Sequence, residues 1–174
     1  KQKRLVERAV REANQEIVGS LTDEVVSTVG IQGTDRGLLR IETADGSETG
    51  PNLSVGKTGW LEALLKQHVV GVVSSLARTA SGEVREVWTA DAVIAIENAL
   101  DDVFDATVVF LSQAGQAGII DAKGTKDEVD ATSVGDAVAE PDAVRRVVGA
   151  GCSAIVTNPE GLWDDPVRAT RLAA

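Results

Sequence analysis

Residues 84–122 read VREVWTADAVIAIENALDDVFDATVVFLSQAGQAGIIDA, a helix, a short apolar strand and a second helix with almost no polar chemistry between them. Thr89 or Asp91 can cap the free amides of the first helix, which carries Val93, Ile96, Ala99, Leu100 and Val103 at three- and four-residue spacing. One face of that helix is therefore expected in a core. Thr107 to Leu111 follows as an unbroken apolar run, short enough for a strand and rich in residues that strands favour. Because the run is apolar on both faces, it is predicted to lie between two layers. Ser112 can cap what comes next, and no catalytic grouping falls within the stretch.

Toward the N-terminus, Leu5, Ala9, Ala13 and Ile17, with Val6 and Val10, form an apolar stripe at helical spacing, and Glu7 with Arg11 and Arg8 with Glu12 are i,i+4 pairs. The spacing predicts an amphipathic helix ending near Gly19, with a second short helix over 22–29. Gly37 to Thr43 reads as a strand running into the turn Ala44-Asp45-Gly46. Residues 44–57 form a loop rich in Gly, Ser, Thr and Asn. From Thr58 a long helix is expected to carry Leu61, Leu64, Leu65, Val69, Val72, Val73 and Leu76 to a stop near Ser81-Gly82. Residues 123–142 are polar and acidic and read as a mobile surface loop.

TADAVIAIENALDDVFDATVVFLS (89–112) and VRRVVGAGCSAIVTNPEGLW (144–163) together resemble the axial-domain segment and paired strands of the major capsid proteins of tailed viruses, the Hong Kong ninety-seven fold. The resemblance covers residues 58–163. It implies an α+β capsid-like fold with a helical arm over 1–33, an extended hairpin or loop over 34–57 reaching over a neighbour, a spine helix over 58–83 and an α/β axial-like domain over 84–174. It further implies a structural subunit whose partner is its own copy in a homo-oligomeric shell, with other virion proteins beside it, located in the virion.

Composition sets bounds on this. The 174 residues fit one domain, or one domain with extended arms, and the core must be built from Val, Ala, Leu and Ile, since there are 2 Phe, 3 Trp and no Tyr or Met. A net charge of −10 and a pI near 4.6 argue against a nucleic-acid surface, which needs clustered Lys and Arg. The single Cys152 excludes an intramolecular disulfide, and no apolar run approaches the ~20 residues of a membrane helix. Lys1-Gln2-Lys3-Arg4 has no long apolar core behind it, so it does not read as a secretory signal.

The sharpest chemical motif is GPNLSVGKTGWLEALL, Gly50 to Leu65. Gly56, Lys57 and Thr58 match the end of a phosphate-cradling loop at a helix mouth, in which backbone amides wrap phosphates and the Lys acts as a point charge. Pro51 stands where the first Gly belongs and cannot donate the missing amide. Gly135 to Leu162 resembles the final turn of phosphate-binding barrels, but the ~130 preceding residues cannot supply the rest of a barrel.

His68 has no second His to join in a metal cluster, and Cys152, between Gly151 and Ser153, reads as a buried small residue. Asp101, Asp102 and Asp105, and Asp164 with Asp165, lack the spacing of a calcium loop, and Asn52-Leu53-Ser54 fits a glycosylation acceptor. The sequence reading is thus a non-enzymatic, self-assembling shell subunit with no catalytic residue, cofactor or metal. The alternative is a small phosphate- or nucleotide-ligand enzyme, cytoplasmic, using Gly56, Lys57 and Thr58 or the turn over 149–157.

Overall fold

In the computed structural model, which describes residues 2–42, 52–113, 115–164 and 166–174, the chain divides into two units, Lys1–Val103 and Phe104–Ala174. The first runs α1 (Gln2–Asp23), β1 (Thr28–Gln32), β2 (Leu39–Ile41), β3 (Leu53–Val55), α2 (Gly59–Lys66), β4 (Val70–Ser74), β5 (Leu76–Thr79), β6 (Val84–Glu86) and α3 (Thr89–Leu100). The second runs β7 (Val108–Leu111), the short strands β8 (Ile120–Asp121) and β9 (Gly124–Thr125), β10 (Glu128–Asp130), α4 (Pro141–Gly149), β11 (Ala154–Thr157), α5 (Pro159–Leu162) and β12 (Thr170–Ala173).

In the first unit the same two stretches of chain carry two sheets. β1 and β4 pair in parallel, Thr28 with Val70 through Gln32 with Ser74. Only Ser75 separates β4 from β5, and there the pairing moves into a second sheet of order β3-β2-β5-β6. In that sheet Arg40 stands beside Arg78 in a parallel pair, while Leu39, Arg40 and Ile41 face Val55, Ser54 and Leu53 in an antiparallel one. Leu38, Leu39, Leu76 and Ala77 are sealed from solvent and anchor this sheet, whereas Arg40 and Arg78 alternate to its exposed face. The chain thus doubles back between 39 and 55; residues 43–51, with the turn at Ala44-Asp45-Gly46, lie outside the described residues.

The helix expected over 58–83 is not one helix. α2 stops at Lys66, where the amides of His68 and Val69 return to the carbonyls of Leu65 and Leu64, and His68 takes the left-handed conformation with φ 58°. Beyond it Val69, Val70, Val72 and Val73 are β-branched around Gly71, so this stretch prefers the pleated sheet of β4 to a helix. Nor does 22–29 form a helix. α1 runs on to Asp23 and ends with Val25 left-handed at φ 62°, with the amides of Val25 and Val26 on the carbonyls of Thr22 and Leu21.

The stripe assigned to the face of α1 also differs. Leu5, Val6 and Ile17 are exposed, and the helix instead turns Val10, Asn14 and Val18 inward. Asn14 is buried and donates to the Val72 carbonyl of β4 at 2.7 Å. A Cβ on Gly30 would stand 2.6 Å from the Asn14 side-chain oxygen, so the bare glycine of β1 makes the room this polar anchor needs. The surface pairs Arg11–Glu7 and Arg8–Glu12 form at 2.9 and 2.7 Å.

In the second unit one sheet has the order β10-β12-β11-β7. β7 runs parallel to β11, Val108 beside Ala154 through Leu111 beside Thr157, and β12 is antiparallel to β11 and parallel to β10. Pro141 opens α4, and its buried Ala143, Val144, Val147 and Val148 form a single apolar face. The paired strands expected over 144–163 are therefore this helix followed by β11. Val129, Ala131, Val134 and Val138 are buried, so 123–142 is packed chain and no mobile loop. β7 is not sandwiched: Val108 and Phe110 are half-buried, while Val109 and Leu111 are 38% and 59% exposed. Thr170, fully buried, accepts from the Ile119 amide at 2.8 Å and donates to the Lys126 carbonyl at 2.7 Å, tying three segments together. Among the described residues no helix is long and apolar enough to cross a membrane.

Candidate functional site

Alternation along two strands builds the most distinctive surface of the first unit. Arg40 and Arg78, register partners on β2 and β5, project from the exposed face of their sheet into a cavity of about 510 Å³. Thr34, Arg36, Glu42 and Thr79 share its lining. Arg36 is held left-handed at φ 51°, a conformation costing a non-glycine residue about 1–2 kcal/mol. Its guanidinium lies 5.4 Å from the Trp60 ring centroid, within cation–π range. The Trp60 indole N–H is itself buried with no acceptor among the described residues. Arg40 folds against the bare face of Gly37, where a Cβ would stand 2.5 Å from its Nη2. Glu42 is engaged by the Ser54 hydroxyl.

A second cavity of the same unit, about 490 Å³, lies between β3 and α3 and is lined by Asn52, Leu53, Val55, Asp91, Ile94 and Asn98 among others. It offers two carboxamides and one carboxylate over an apolar floor, a donor and acceptor set suited to a small polar ligand. The second unit carries a larger concavity of about 970 Å³ on the open face of its sheet, where Val109, Ile155, Leu162 and Val167 meet Asp127 and Arg171.

The glycine-rich alternative, Gly56, Lys57 and Thr58, sits between β3 and α2. A Cβ on Gly56 would lie 2.4 Å from the Gly37 carbonyl oxygen, and the Gly56 amide donates to the Leu38 carbonyl at 3.1 Å. Thr58 spends its hydroxyl on Glu62 at 2.8 Å, and Lys57 is exposed. The 149–157 turn runs from the end of α4 into β11, with Gly151 at φ 88° and Cys152 buried. His68 is exposed at the end of α2, away from the mid-helix position expected of it. Asp164 pairs with Arg168, Asp165 lies outside the described residues, and no group of three or more His, Cys, Asp or Glu among the described residues could hold a metal ion.

The arginine cavity went unseen in the sequence. Its only local signal is one basic residue inside each of two apolar runs, Leu38-Leu39-Arg40-Ile41 and Leu76-Ala77-Arg78, and nothing local says that the two strands pair.

No family model matches the chain. Acetylglutamate kinase from Vibrio cholerae is 31% identical over 114 residues, which are 64% of this chain and 41% of that protein. The chain thus spans less than half the length of that relative. Among solved structures, smu.665 from Streptococcus mutans UA159 superposes with a TM-score of 0.67 at 13% identity, over 98% of this chain and 71% of that one. An isopentenyl phosphate kinase does so with a TM-score of 0.66 at 15% identity, over 98% and 69%. The fold is the amino acid kinase fold, an α/β fold with mixed sheets.

That finding overturns the tailed-virus capsid resemblance and the capsid-like α+β architecture, and with them the non-enzymatic shell subunit and its place in a virion. The error has a physical source. A helix, a short apolar strand and a small-residue segment recur wherever a strand is covered by helices, so their succession over 89–112 carries no family information. The spine helix that completed the resemblance is α2, β4 and β5.

Proposed function

We propose that the chain is part of a small-molecule kinase that phosphorylates a carboxylate of an N-acylated acidic amino acid, with acetylglutamate the first acceptor to try. The observation that carries this is the 114-residue match at 31% identity to acetylglutamate kinase. Acetylglutamate has carboxylates and an amide but no hydroxyl, so phosphorylation yields an acyl phosphate. Catalysis of such a transfer rests on positioning and on neutralising charge, with little covalent work for the protein.

In this reading the β3–α3 cavity holds the acceptor, Asn52 and Asn98 donating to its carboxylates while Asp91 accepts from its amide N–H. Of the glycine-rich trio only Lys57 is exposed with no partner among the described residues, and it offers its head to a phosphate. The reading brings with it a cytoplasmic setting and self-association into a small homo-oligomer, which a sizing column checks.

The test uses the reactivity of an acyl phosphate. The full chain is incubated with magnesium, ATP, acetylglutamate and hydroxylamine, which traps the product as a hydroxamate that colours with ferric iron. Hydroxamate dependent on both substrates supports the proposal, and its loss in Asp91→Asn supports the cavity. No hydroxamate from acetylglutamate or other N-acyl acidic amino acids, with a folded chain by circular dichroism, overturns it.

A further inference from the structure

We propose that the cavity framed by Arg36, Arg40 and Arg78 is a binding site for a phosphate group, whether free or borne by a small molecule. The first support is register. Arg40 and Arg78 are direct partners across β2 and β5, and like charges directly opposite each other on a sheet repel. Among the described residues none of the three arginines forms an ion pair, in a chain that carries 27 acidic side chains against 17 basic ones. Among the described residues the lining sets three guanidiniums against one carboxylate, Glu42. An anion between the strands would turn this repulsion into attraction.

A second observation is independent of charge. Thr34 lines the same cavity, and its hydroxyl has no hydrogen-bond partner among the described residues, which leaves it as a donor beside the guanidiniums. The third is backbone: Arg36 is kept in a left-handed conformation immediately before Gly37, also at positive φ, and this places its side chain on the cavity wall against Trp60.

The geometry selects phosphate over a single carboxylate. One carboxylate is planar and is satisfied by one guanidinium fork, whereas a tetrahedral dianion presents acceptor oxygens in diverging directions to several forks and a hydroxyl. The space is enough for a small phosphorylated molecule. The cavity would hold such an anion whether or not the chain transfers phosphoryl groups.

The test is calorimetric titration of the full chain with inorganic phosphate and pyrophosphate in chloride buffer of matched ionic strength, with succinate as the dicarboxylate probe. Saturable binding is expected, weakened roughly tenfold or more in Arg40→Gln and in Arg78→Gln, the loss of a charge-assisted bond. Arg11→Gln, on α1 outside the cavity, should leave it unchanged. Melting supplies a second reading. Each cavity variant should melt at or above the parent temperature without phosphate, because a facing charge is gone, and should lose the rise in Tm that phosphate gives the parent. Absence of saturable phosphate or pyrophosphate binding, binding that survives the double Arg40→Gln/Arg78→Gln variant, or succinate bound in preference to phosphate would each overturn the proposal.

Discussion

Thr170→Val tests how the second unit is held together. The substitution keeps side-chain volume, so it opens no cavity at a position with no exposed surface. What it removes is one oxygen that serves two backbone groups, the Ile119 amide at 2.8 Å and the Lys126 carbonyl at 2.7 Å. Two such bonds contribute about 1 kcal/mol each, and the half-buried Ile119 amide adds part of its desolvation cost. The added methyl recovers up to about 1 kcal/mol. The net expected loss is about 2 kcal/mol. Thr170→Ser keeps both bonds and gives up one sealed methyl, for about 1 kcal/mol. Urea unfolding followed by circular dichroism should therefore rank parent above Ser above Val. Hydrogen exchange at the Ile119 amide should accelerate in Val and hold in Ser. A Val variant as stable as the parent, or unchanged protection at Ile119, would refute the assignment of Thr170 as the tie between these segments.

Val25→Gly should stabilise the chain by about 1 kcal/mol, since Val25 is 91% exposed and pays for a left-handed φ of 62° at the end of α1 without burial in return; a thermal melt with no gain or a loss would contradict this. Asp130 accepts from the hydroxyl and the amide of Thr132, at 2.5 and 2.7 Å, which holds its carboxyl below the usual aspartate range. Its contribution is therefore present above the unfolded aspartate pKa and lost as pH falls through the lower folded value. An NMR titration should find the midpoint below that of an ordinary aspartate, and Thr132→Ala should bring it back up.

The sequence made visible whatever was local. Thr89–Leu100 is short, small-residue helix with a consistent apolar spacing, and the apolar run to Leu111 could hardly be anything but strand, so α3 and β7 stand where the pattern put them. Over 58–83 the same spacing misled, because Leu61, Leu64, Leu65, Val69, Val72 and Val73 satisfy a helical period while four β-branched residues around Gly71 oppose it. Periodicity could not identify the inner face of α1, because Asn14, a polar residue, fixes its rotation through a bond to β4. The arginine cavity was out of reach for a related reason. It exists because β2 and β5 align in parallel, a long-range pairing that leaves no trace in either strand alone.

The clearance between Gly30 and Asn14 has a consequence for how this sequence can drift. A side chain gained at 30 displaces the Asn14 oxygen, and a larger one at 14 meets the β1 backbone, so neither position can change freely while the other stays. Losing the asparagine first removes its bond to the Val72 carbonyl; losing the glycine first expels the asparagine. A side chain at 30 therefore costs less once position 14 has become smaller, the signature of epistasis between contacting sites. In chains that keep this helix on this sheet, the two positions should be inherited as a linked pair, glycine with asparagine or a larger residue with a smaller one.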